Sequence, residues 1–347
     1  MPIRTAIIGY GRNGSTMHAG PIERNPSFEM VAVCDIDPER TALAAERFGC
    51  PVYADYHEML RTEELDFVCV VTRNHQHAAM ACDCLSAGVD VLVTKPWAAN
   101  ASEAERMIRV ARDSGRKLLP WLPARWGCEL RRLKELVADG AVGDVFLVRR
   151  VVSSFATRCD WQTEKRCAGG YLLNWGAHIV DPPLMLVDSH AASVSARMRQ
   201  TINPGDVEDL FFALITAADG TIVQAEYTIS AEQLPNWVVQ GTRGTMVIQG
   251  KELTVHRSTP SNPADPTQYA QMKAGEDRVS TETLTGAQYG DEYEIYVEIA
   301  AALRGERAIP VSLEDALHVS HLLEAIRVSD RENRTVNVPR PGGDPSC

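Results

Sequence analysis

Residues 168–181, AGGYLLNWGAHIVD, contain the polar side chains whose arrangement is most typical of a catalytic site. Asn174 and His178 are four residues apart, so a helix that begins after the two glycines would direct both toward the same side. An imidazole can exchange a proton near neutral pH, whereas a carboxamide can only position a neighbouring group by hydrogen bonding. The segment therefore predicts both the start of a helix and a reaction centre.

Two loops that follow predicted strands carry further polar side chains. Residues 72–77 read TRNHQH and residues 94–97 read TKPW, and each stretch begins where a β-branched run ends. Ligands of open parallel sheets bind at the carboxyl ends of the strands, so both loops are candidate binding elements. Lys95 could reach a substrate beside a cofactor, and the alternative is a solvated loop charge. The candidate cofactor contacts in the two loops are Thr72, Asn74, His77, Lys95 and Pro96.

A complete G-x-G-x-x-G motif, GYGRNG, occupies residues 9–14 directly after the first predicted strand. In this context Gly9 permits a tight turn, Gly11 lets a pyrophosphate approach the backbone, and Gly14 lets the following helix pack closely. The phosphates would lie at the amino terminus of that helix. The motif predicts a dinucleotide-binding loop with the candidate contacts Gly9, Gly11, Arg12, Asn13 and Gly14.

Asp35 ends the second predicted strand, about 20 residues beyond the glycines, at the position typical of a ribose-binding acid. Its carboxylate could accept hydrogen bonds from both ribose hydroxyls and would repel a 2′-phosphate. The sequence therefore favours NAD over NADP, while Arg40 is near enough to keep NADP as the alternative. A purely structural role, in which Asp35 opens a turn with Asp37 and Pro38, also stays open.

The predicted strands and helices that carry these residues follow two different patterns along the chain. Up to about residue 120, β-branched runs alternate with stretches at helical spacing, which predicts an α/β Rossmann domain with a doubly wound parallel sheet over residues 1–120. Beyond it, period-two alternation predicts an α+β substrate-binding and oligomerisation domain over 121–347, with a large, mostly antiparallel open sheet. Residues 258–288 are rich in Pro, Ser, Thr, Asp and Gly and predict a long loop. A helix predicted at 313–328 can pack back on the first domain.

The stretch TRCDWQTEK, residues 157–165, cannot form a regular amphipathic element. Its mixture of polar and aromatic side chains suits the wall of a sugar pocket, and a solvated loop with one buried tryptophan is the alternative. The candidate substrate contacts are Lys95, Arg158, Asp160, Trp161, Asn174 and His178.

The composition restricts the function classes. The chain has 46 Asp and Glu against 35 Lys and Arg, a net charge of -11, and a field of this sign repels nucleic acid and anionic membrane surfaces. Its 9 cysteines lack C-x-x-C or Cys/His ligand spacing, which predicts neither disulfides nor a metal site. No apolar stretch approaches the roughly 20 residues that span a bilayer. We expect a soluble, cytoplasmic protein that binds a small molecule.

The order of these motifs resembles the Gfo/Idh/MocA family, which includes glucose-fructose oxidoreductase, inositol dehydrogenase and rhizopine-catabolism proteins. The resemblance covers nearly the whole chain. The residues that carry it are Gly9, Gly11, Gly14, Asn74, His77, Lys95, Pro96, Arg125, Gly169, Gly170, His178 and Asp181. It implies that Lys95 and His178 form the catalytic pair beside the substrate carbinol.

Four features depart from the family pattern. They are Thr94 for a usual glutamate, Arg73 for a usual proline, Asn174 where aspartate is commoner, and Pro182-Pro183 within the helix. Because a carboxamide cannot serve as a base, the proton must be handled by His178 or Lys95. A proline at 182 removes the helical hydrogen bond to the His178 carbonyl, so we expect a bend there or a delayed start of the helix.

By resemblance, the chain is expected to be an NAD-dependent oxidoreductase that oxidises a secondary hydroxyl of a sugar, cyclitol or glycoside to a ketone by hydride transfer. His178 would act as the general base, and Lys95 would orient the oxygen. Two alternatives stay open: a glycosidase that uses transient ring oxidation without net redox change, and a non-catalytic regulator that senses NAD or sugar. The open sheet also predicts a homodimer or homotetramer that covers its apolar face.

Overall fold

The computed structural model describes residues 1–258, 267, 269, 275 and 277–342. In this part of the chain six parallel strands form the N-terminal sheet: β1 (Ile3–Ile8), β2 (Phe28–Cys34), β3 (Val52–Tyr53), β4 (Phe67–Val70), β5 (Asp90–Val93) and β6 (Leu118–Pro120). Their order is β3-β2-β1-β4-β5-β6, which is the order of a dinucleotide-binding fold. The predicted parallel Rossmann sheet is confirmed.

Helical segments connect the parallel strands. They are a π-helical turn at Gly14–His18, α1 (Ala19–Arg24), α2 (Pro38–Phe48), α3 (Tyr56–Thr62), α4 (His77–Ser86) and α5 (Ala101–Ser114). Every residue of β4 is buried, as expected of a parallel strand covered on both faces. Because parallel strands end at the same edge, the glycine loop, Asp35, Thr72 and Lys95 reach one side of the sheet.

In the described chain nine strands form the second sheet: β7 (Val145–Ser153), β8 (Ala191–Arg199), β9 (Leu210–Ala217), β10 (Ile222–Thr228), β11 (Trp237–Gly241), β12 (Gly244–Gln249), β13 (Glu252–Ser258), β14 (Asp277–Thr283) and β15 (Val336–Asn337). Their order is β14-β13-β12-β11-β7-β10-β9-β8-β15. β7 and β10 are parallel, and the other pairs within the described residues are antiparallel. The predicted large, mostly antiparallel sheet is confirmed.

Strand β14 corrects the predicted long loop at 258–288. Asp277–Thr283 pairs with β13 along its full length. Its side chains are almost all exposed, so the alternation of buried and exposed residues that indicates a strand is missing from its sequence. The backbone ladder with β13 forms the strand instead. Between Ser258 and Asp277 the predicted loop lies outside the described residues, apart from 267, 269 and 275.

The remaining helices are α6 (Cys128–Ala138), α7 (Tyr171–Leu186), α8 (Glu292–Leu303) and α9 (Leu313–Glu332). Helix α7 begins directly after the two glycines and includes Pro182 and Pro183, so the prolines do not delay its start. Ser312 caps α9 by accepting a hydrogen bond from Asp315 N at 3.0 Å. This helix continues four residues beyond the predicted end at 328.

The last two helices pack on the N-terminal sheet. On α8, the Tyr296 side chain is fully buried and its hydroxyl lies 2.8 Å from His18 Nδ1. On α9, Ser320 Oγ accepts a hydrogen bond from Trp97 Nε1 at 2.9 Å. Residues near the end of the chain therefore support the turn that carries Lys95.

Across the described residues, the helices are too short or too polar to cross a bilayer. The same residues contain no cluster of three or more His, Cys, Asp or Glu side chains that could hold a metal ion.

Candidate active site

A cavity of about 470 Å³ opens at the carboxyl ends of β1, β2, β4 and β5. Residues 158–162 and the first turn of α7 form the opposite wall. The predicted site residues that line it are Gly9, Gly11, Arg12, Asn13, Asp35, Arg40, Thr72, Asn74, Lys95, Arg158, Asp160, Trp161 and Asn174. The two domains thus contribute opposite sides of one cleft.

Four other predicted site residues lie behind the cavity wall: Gly14, His77, Pro96 and His178. His77 is fully buried, and its ring nitrogens lie 2.8 Å from the Pro96 carbonyl oxygen and 3.0 Å from the Thr72 carbonyl oxygen. The imidazole therefore joins the loops after β4 and β5 and is not placed to contact a cofactor. Gly14 packs on the Gly9 carbonyl oxygen, where any Cβ would collide. These positions support the cleft from behind.

The glycine-rich loop leaves part of its backbone open to the cavity. Gly9 has a φ of 96°, in the left-handed region that favours glycine, and a Cβ there would collide with the Val71 carbonyl. A Cβ on Gly11 would meet, among the described atoms, only the Arg40 guanidinium, at 3.5 Å. Phosphate groups can therefore approach the Gly11 backbone closely, at the start of the following helix.

Asp35 lies at the edge of the cavity and holds the glycine loop. Its Oδ2 accepts a hydrogen bond from Tyr10 N at 2.7 Å, and its Oδ1 accepts one from Asp37 N at 2.9 Å. Arg40 Nη1 lies 3.6 Å from Asp35 Oδ2. The carboxylate therefore has the structural role that the sequence left open, and each oxygen keeps a lone pair for a ribose hydroxyl.

Lys95 is held by the helix that carries the other predicted site residues. Its Nζ donates hydrogen bonds to the Asn174 backbone oxygen at 2.8 Å and to Asn174 Oδ1 at 2.9 Å. Burial, followed by the charges of the nearby Arg158 and Arg12, lowers the pKa of Lys95 to about 8. The acceptors that hold Nζ are both uncharged, so a neutral amine is accessible near physiological pH.

The start of α7 depends on a carboxylate that sequence reasoning missed. Glu208 Oε1 accepts a hydrogen bond from Leu172 N at 3.0 Å and so caps the helix from the side. Gly170 has a φ of 103°, and a Cβ there would collide with this carboxylate; a Cβ on Gly169 would collide with the Gln162 carbonyl. The two glycines are therefore needed because other segments approach the helix start closely. Glu208 follows no recognisable motif, so only the fold reveals it.

His178 lies one helical turn beyond Asn174 and is 5% exposed. Its ring is 4.9 Å from the Tyr289 ring and 6.0 Å from the Trp175 ring, measured between centroids. Among the described residues, Nδ1 has no hydrogen-bond partner. Burial, followed by the charges of Lys95 and Arg150, holds the pKa of His178 well below its ordinary value. The imidazole is therefore neutral at physiological pH.

A buried charged cluster lies beyond His178, and the sequence does not predict its charged members, Arg150 and Glu129. Arg150 is 2% exposed and donates to the Asn236 carbonyl oxygen at 3.0 Å. Its Nη2 lies 3.6 Å from Glu129 Oε2, which also accepts a hydrogen bond from Trp237 Nε1 at 2.7 Å. Within this cluster the charge of Arg150 contributes to the low pKa of His178. Its members lie far apart in the sequence and form no pattern that could have indicated it.

Residues 158–162 form the polar wall that the sequence predicted. Arg158 Nη2 pairs with Asp160 Oδ2 at 2.6 Å, and Asp160 Oδ1 accepts a hydrogen bond from Gln162 N at 3.0 Å. Gln162 lines the cavity and was missed as a candidate, although it lies in the stretch that was singled out. Its Oε1 is buried and has no partner among the described residues.

Arg125 and Asp181 lie outside the cleft and form a buried ion pair. Arg125 Nε and Nη2 each donate to the Asp181 carboxylate at 2.8 Å, and Nη1 donates to Asp315 Oδ2 at 2.9 Å. Both side chains of the pair are less than a tenth exposed, whereas that of Asp315 is 51% exposed. The pair joins the segment after β6 to α7 and to the start of α9.

Comparison with known proteins gives matches over both domains. Residues 3–120 match the family model described as an oxidoreductase family with an NAD-binding Rossmann fold, and residues 130–247 match the GFO/IDH/MocA C-terminal domain. The scyllo-inositol 2-dehydrogenase (NADP(+)) IolW of Bacillus subtilis is 25% identical over 96% of this chain and 95% of that protein. The D-glucoside 3-dehydrogenase of Escherichia coli is 28% identical over 65% of this chain and 70% of that protein.

The crystal structure of an NAD-binding protein from Listeria innocua has the same fold, with a TM-score of 0.81, 27% identity, and coverage of 99% of this chain and 98% of that one. Together the two family models match more than half of the chain. Their order along the sequence is also the order of the two sheets that form the cleft. The chain therefore belongs to the GFO/IDH/MocA family of NAD-binding oxidoreductases.

Proposed function

We propose that the protein is an NAD-dependent dehydrogenase that oxidises a secondary hydroxyl of a sugar, cyclitol or glycoside to a ketone. The observation that carries this proposal is the position of Lys95, on the cavity wall between the glycine-rich loop and the polar residues 158–162. The relatives named for inositol and glucoside dehydrogenation support the substrate class.

The cofactor end of the cavity fits a dinucleotide. The open backbone of Gly11 would take the pyrophosphate, and Asp35 would take the ribose hydroxyls of the adenosine half. Bound NAD supplies the acceptor for the hydride. Asn74, which donates to the Ala168 carbonyl oxygen at 2.7 Å, would keep residues 158–168 closed over the cofactor.

Lys95 and His178 are the proposed catalytic pair, with Lys95 as the group that takes the hydroxyl proton. With a pKa of about 8, its amine is partly neutral at physiological pH and can accept a proton. Asn174 orients Nζ without adding the negative charge that would keep it protonated. This reverses the roles expected from the sequence, because Lys95 lines the cavity while His178 lies behind it. His178 would act from behind the wall, through the Trp175 ring, which lies 6.0 Å from the imidazole between centroids and has Lys95 Nζ over it at 5.7 Å.

The wall opposite the glycine loop suits a polyhydroxylated substrate. Arg158 and Asp160 offer charged donors and acceptors, and Gln162 Oε1 would accept a hydrogen bond from a substrate hydroxyl. Trp161 adds an apolar ring surface for the C–H face of a sugar.

A panel of cyclitols, hexoses, uronates and glycosides, followed by the absorbance of reduced nicotinamide, tests the proposal. We expect NAD reduction with at least one member of the panel. Glycoside cleavage without accumulation of reduced cofactor would contradict net oxidation and indicate the redox-neutral glycosidase. Tight binding of NAD and sugar with no turnover would indicate a sensor.

Asn174→Asp is expected to move the rising limb of the pH profile of kcat/KM to higher pH. A carboxylate near Nζ favours the charged ammonium and raises the pKa of Lys95 above its present value of about 8. Since the neutral amine is the proposed base, the neutral fraction at pH 7 falls about tenfold for each unit of increase. The pH at which the rising limb occurs is measured from initial rates between pH 6 and 10.

Asn174→Ala is the matched control for this prediction. It removes the same side-chain oxygen but adds no charge, and the Asn174 backbone oxygen still accepts from Nζ at 2.8 Å. Its limb should stay near that of the wild type. A limb at the same pH in all three proteins would contradict Lys95 as the base.

Asp35→Asn is expected to reduce the preference for NAD over NADP by about tenfold to a hundredfold, corresponding to roughly 1–3 kcal/mol for a lost charge-assisted hydrogen bond. The amide keeps an acceptor for Tyr10 N, removes the charge that repels a 2′-phosphate, and frees Arg40, 3.6 Å away, to pair with it. The ratio of kcat/KM for the two cofactors is the measurement. An unchanged ratio would show that Asp35 acts on the glycine loop alone.

A further inference from the structure

A second large groove lies away from the catalytic cleft. It has a volume of about 780 Å³ and lies between α5, the first half of α9, and residues 339–342 at the end of the described chain. Among the described residues, it shares no lining residue with the cavity that holds Lys95. A ligand could therefore fill it while NAD is bound.

Four arginines line this groove: Arg109, Arg112, Arg116 and Arg340. Arg109 and Arg112 lie three residues apart on α5, and Arg116 lies just after the end of that helix. All four are exposed, and within the described residues none of their guanidinium groups forms a hydrogen bond or an ion pair. The N–H donors of these four side chains are therefore available to a ligand.

The groove is positive although the chain carries a net charge of -11. Two carboxylates line it, Glu105 and Glu314. Glu105 Oε1 lies 3.7 Å from His321 Nε2, so its charge is directed toward a neighbour on the floor of the groove. Arg109 and Arg112, three residues apart on α5, repel each other, and a bound anion would relieve that repulsion.

The wall that carries Arg340 is fixed by a buried histidine. His318 Nε2 accepts a hydrogen bond from Ala191 N at 3.0 Å, so its Nδ1 carries the proton and donates to the Pro339 carbonyl oxygen at 3.1 Å. This ties the segment before Arg340 to strand β8. The floor also includes Ile108 and Leu317, which would contact an apolar part of a ligand.

We propose that this groove binds a small anion with two or more phosphate groups. Guanidinium groups bind phosphate through paired N–H donors, which makes arginine better suited to this task than lysine. The arginines come from α5, from the segment just after it and from the wall at residues 339–342, and the groove of about 780 Å³ between them has room for more than one phosphate group. The site is separate from the proposed dehydrogenase reaction and stands whether or not that reaction is found.

Calorimetric titration of the NAD-saturated protein with tripolyphosphate tests this site, because NAD blocks the phosphate-binding part of the catalytic cleft. Inorganic phosphate at matched ionic strength is the single-group comparison. We expect tripolyphosphate to bind at least tenfold more tightly than phosphate. The variant Arg109→Gln/Arg112→Gln/Arg116→Gln should weaken tripolyphosphate binding about tenfold or more, since each of the three exposed ion pairs contributes up to about fivefold.

The control variant is Arg61→Gln/Arg199→Gln, which removes two exposed arginines that line neither cavity. It should bind tripolyphosphate like the wild type. If binding weakened equally in both variants, the effect would come from the overall surface charge, and the proposed site would be wrong. The proposal would also be wrong if the wild type did not bind tripolyphosphate at millimolar concentration. Thermal unfolding without ligand checks that the groove variant is folded.

Discussion

Replacing Lys95 with Met is expected to lower kcat/KM about 10³-fold, within the 10²–10⁴ range of a positioned general base. The change removes the amine that Asn174 orients at the cavity wall, and leaves the glycine loop and Asp35 intact. Binding of NAD, measured by fluorescence titration, should therefore change little. The loss corresponds to about 4 kcal/mol of transition-state stabilisation.

Two further variants make this result specific. Lys251→Met changes an exposed lysine outside the cleft and should keep wild-type rates. His178→Gln removes the buried imidazole and should lose clearly less activity than Lys95→Met, because Lys95 is the proposed base. A larger loss of activity in His178→Gln than in Lys95→Met would indicate that His178 is the base. If Lys95→Met kept more than a tenth of wild-type kcat/KM, Lys95 would have no part in proton transfer.

Arg125→Met is expected to lower the free energy of unfolding by about 3 kcal/mol, the cost of leaving a buried carboxylate without its partner. Asp181 is 4% exposed and accepts two hydrogen bonds from Arg125. Asp315 would also lose a partner, but it is half-exposed and can be solvated. Urea unfolding followed by far-ultraviolet circular dichroism measures the change.

Arg131→Met is the matched control for the buried pair. Arg131 also binds a carboxylate through two nitrogens, those of Glu294 at 2.9 and 3.2 Å, but both side chains are 46% exposed. Its loss should cost less than about 1 kcal/mol. The double variant Arg125→Met/Asp181→Leu should recover part of the stability lost by Arg125→Met. Equal losses in the two single variants would show that burial does not distinguish these pairs.

Several residues of the candidate site follow from local patterns in the sequence. The GYGRNG loop that follows the first strand places Gly11 at the carboxyl edge of the parallel sheet. The next strand brings Asp35 to the same edge, because parallel strands end together. Lys95 reaches this edge for the same reason. These positions can be predicted because the periodicity of the strands is visible in the sequence, and because the handedness of their connections follows a general rule.

Other positions depend on which segments approach each other. His77 has the sequence position of a cofactor contact, yet the turn after β5 buries it by offering the Pro96 carbonyl oxygen. Glu208 caps α7 from a distant loop, and Arg150 and Glu129 form a charged cluster from β7 and α6. No spacing in the sequence indicates such partners, because their contacts join residues far apart along the chain.

The family resemblance, the two-sheet fold and the loops that meet at the cleft can be predicted from the amino-acid sequence, because glycine turns, hydrophobic periodicity and strand ends are local properties of the chain. In contrast, the placement of Lys95 at the cavity with a pKa of about 8, and of His178 behind it with a low pKa, depends on the folded chain. Burial and the charges of distant residues set the free energy of each protonation state, and neither is fixed until the chain has folded.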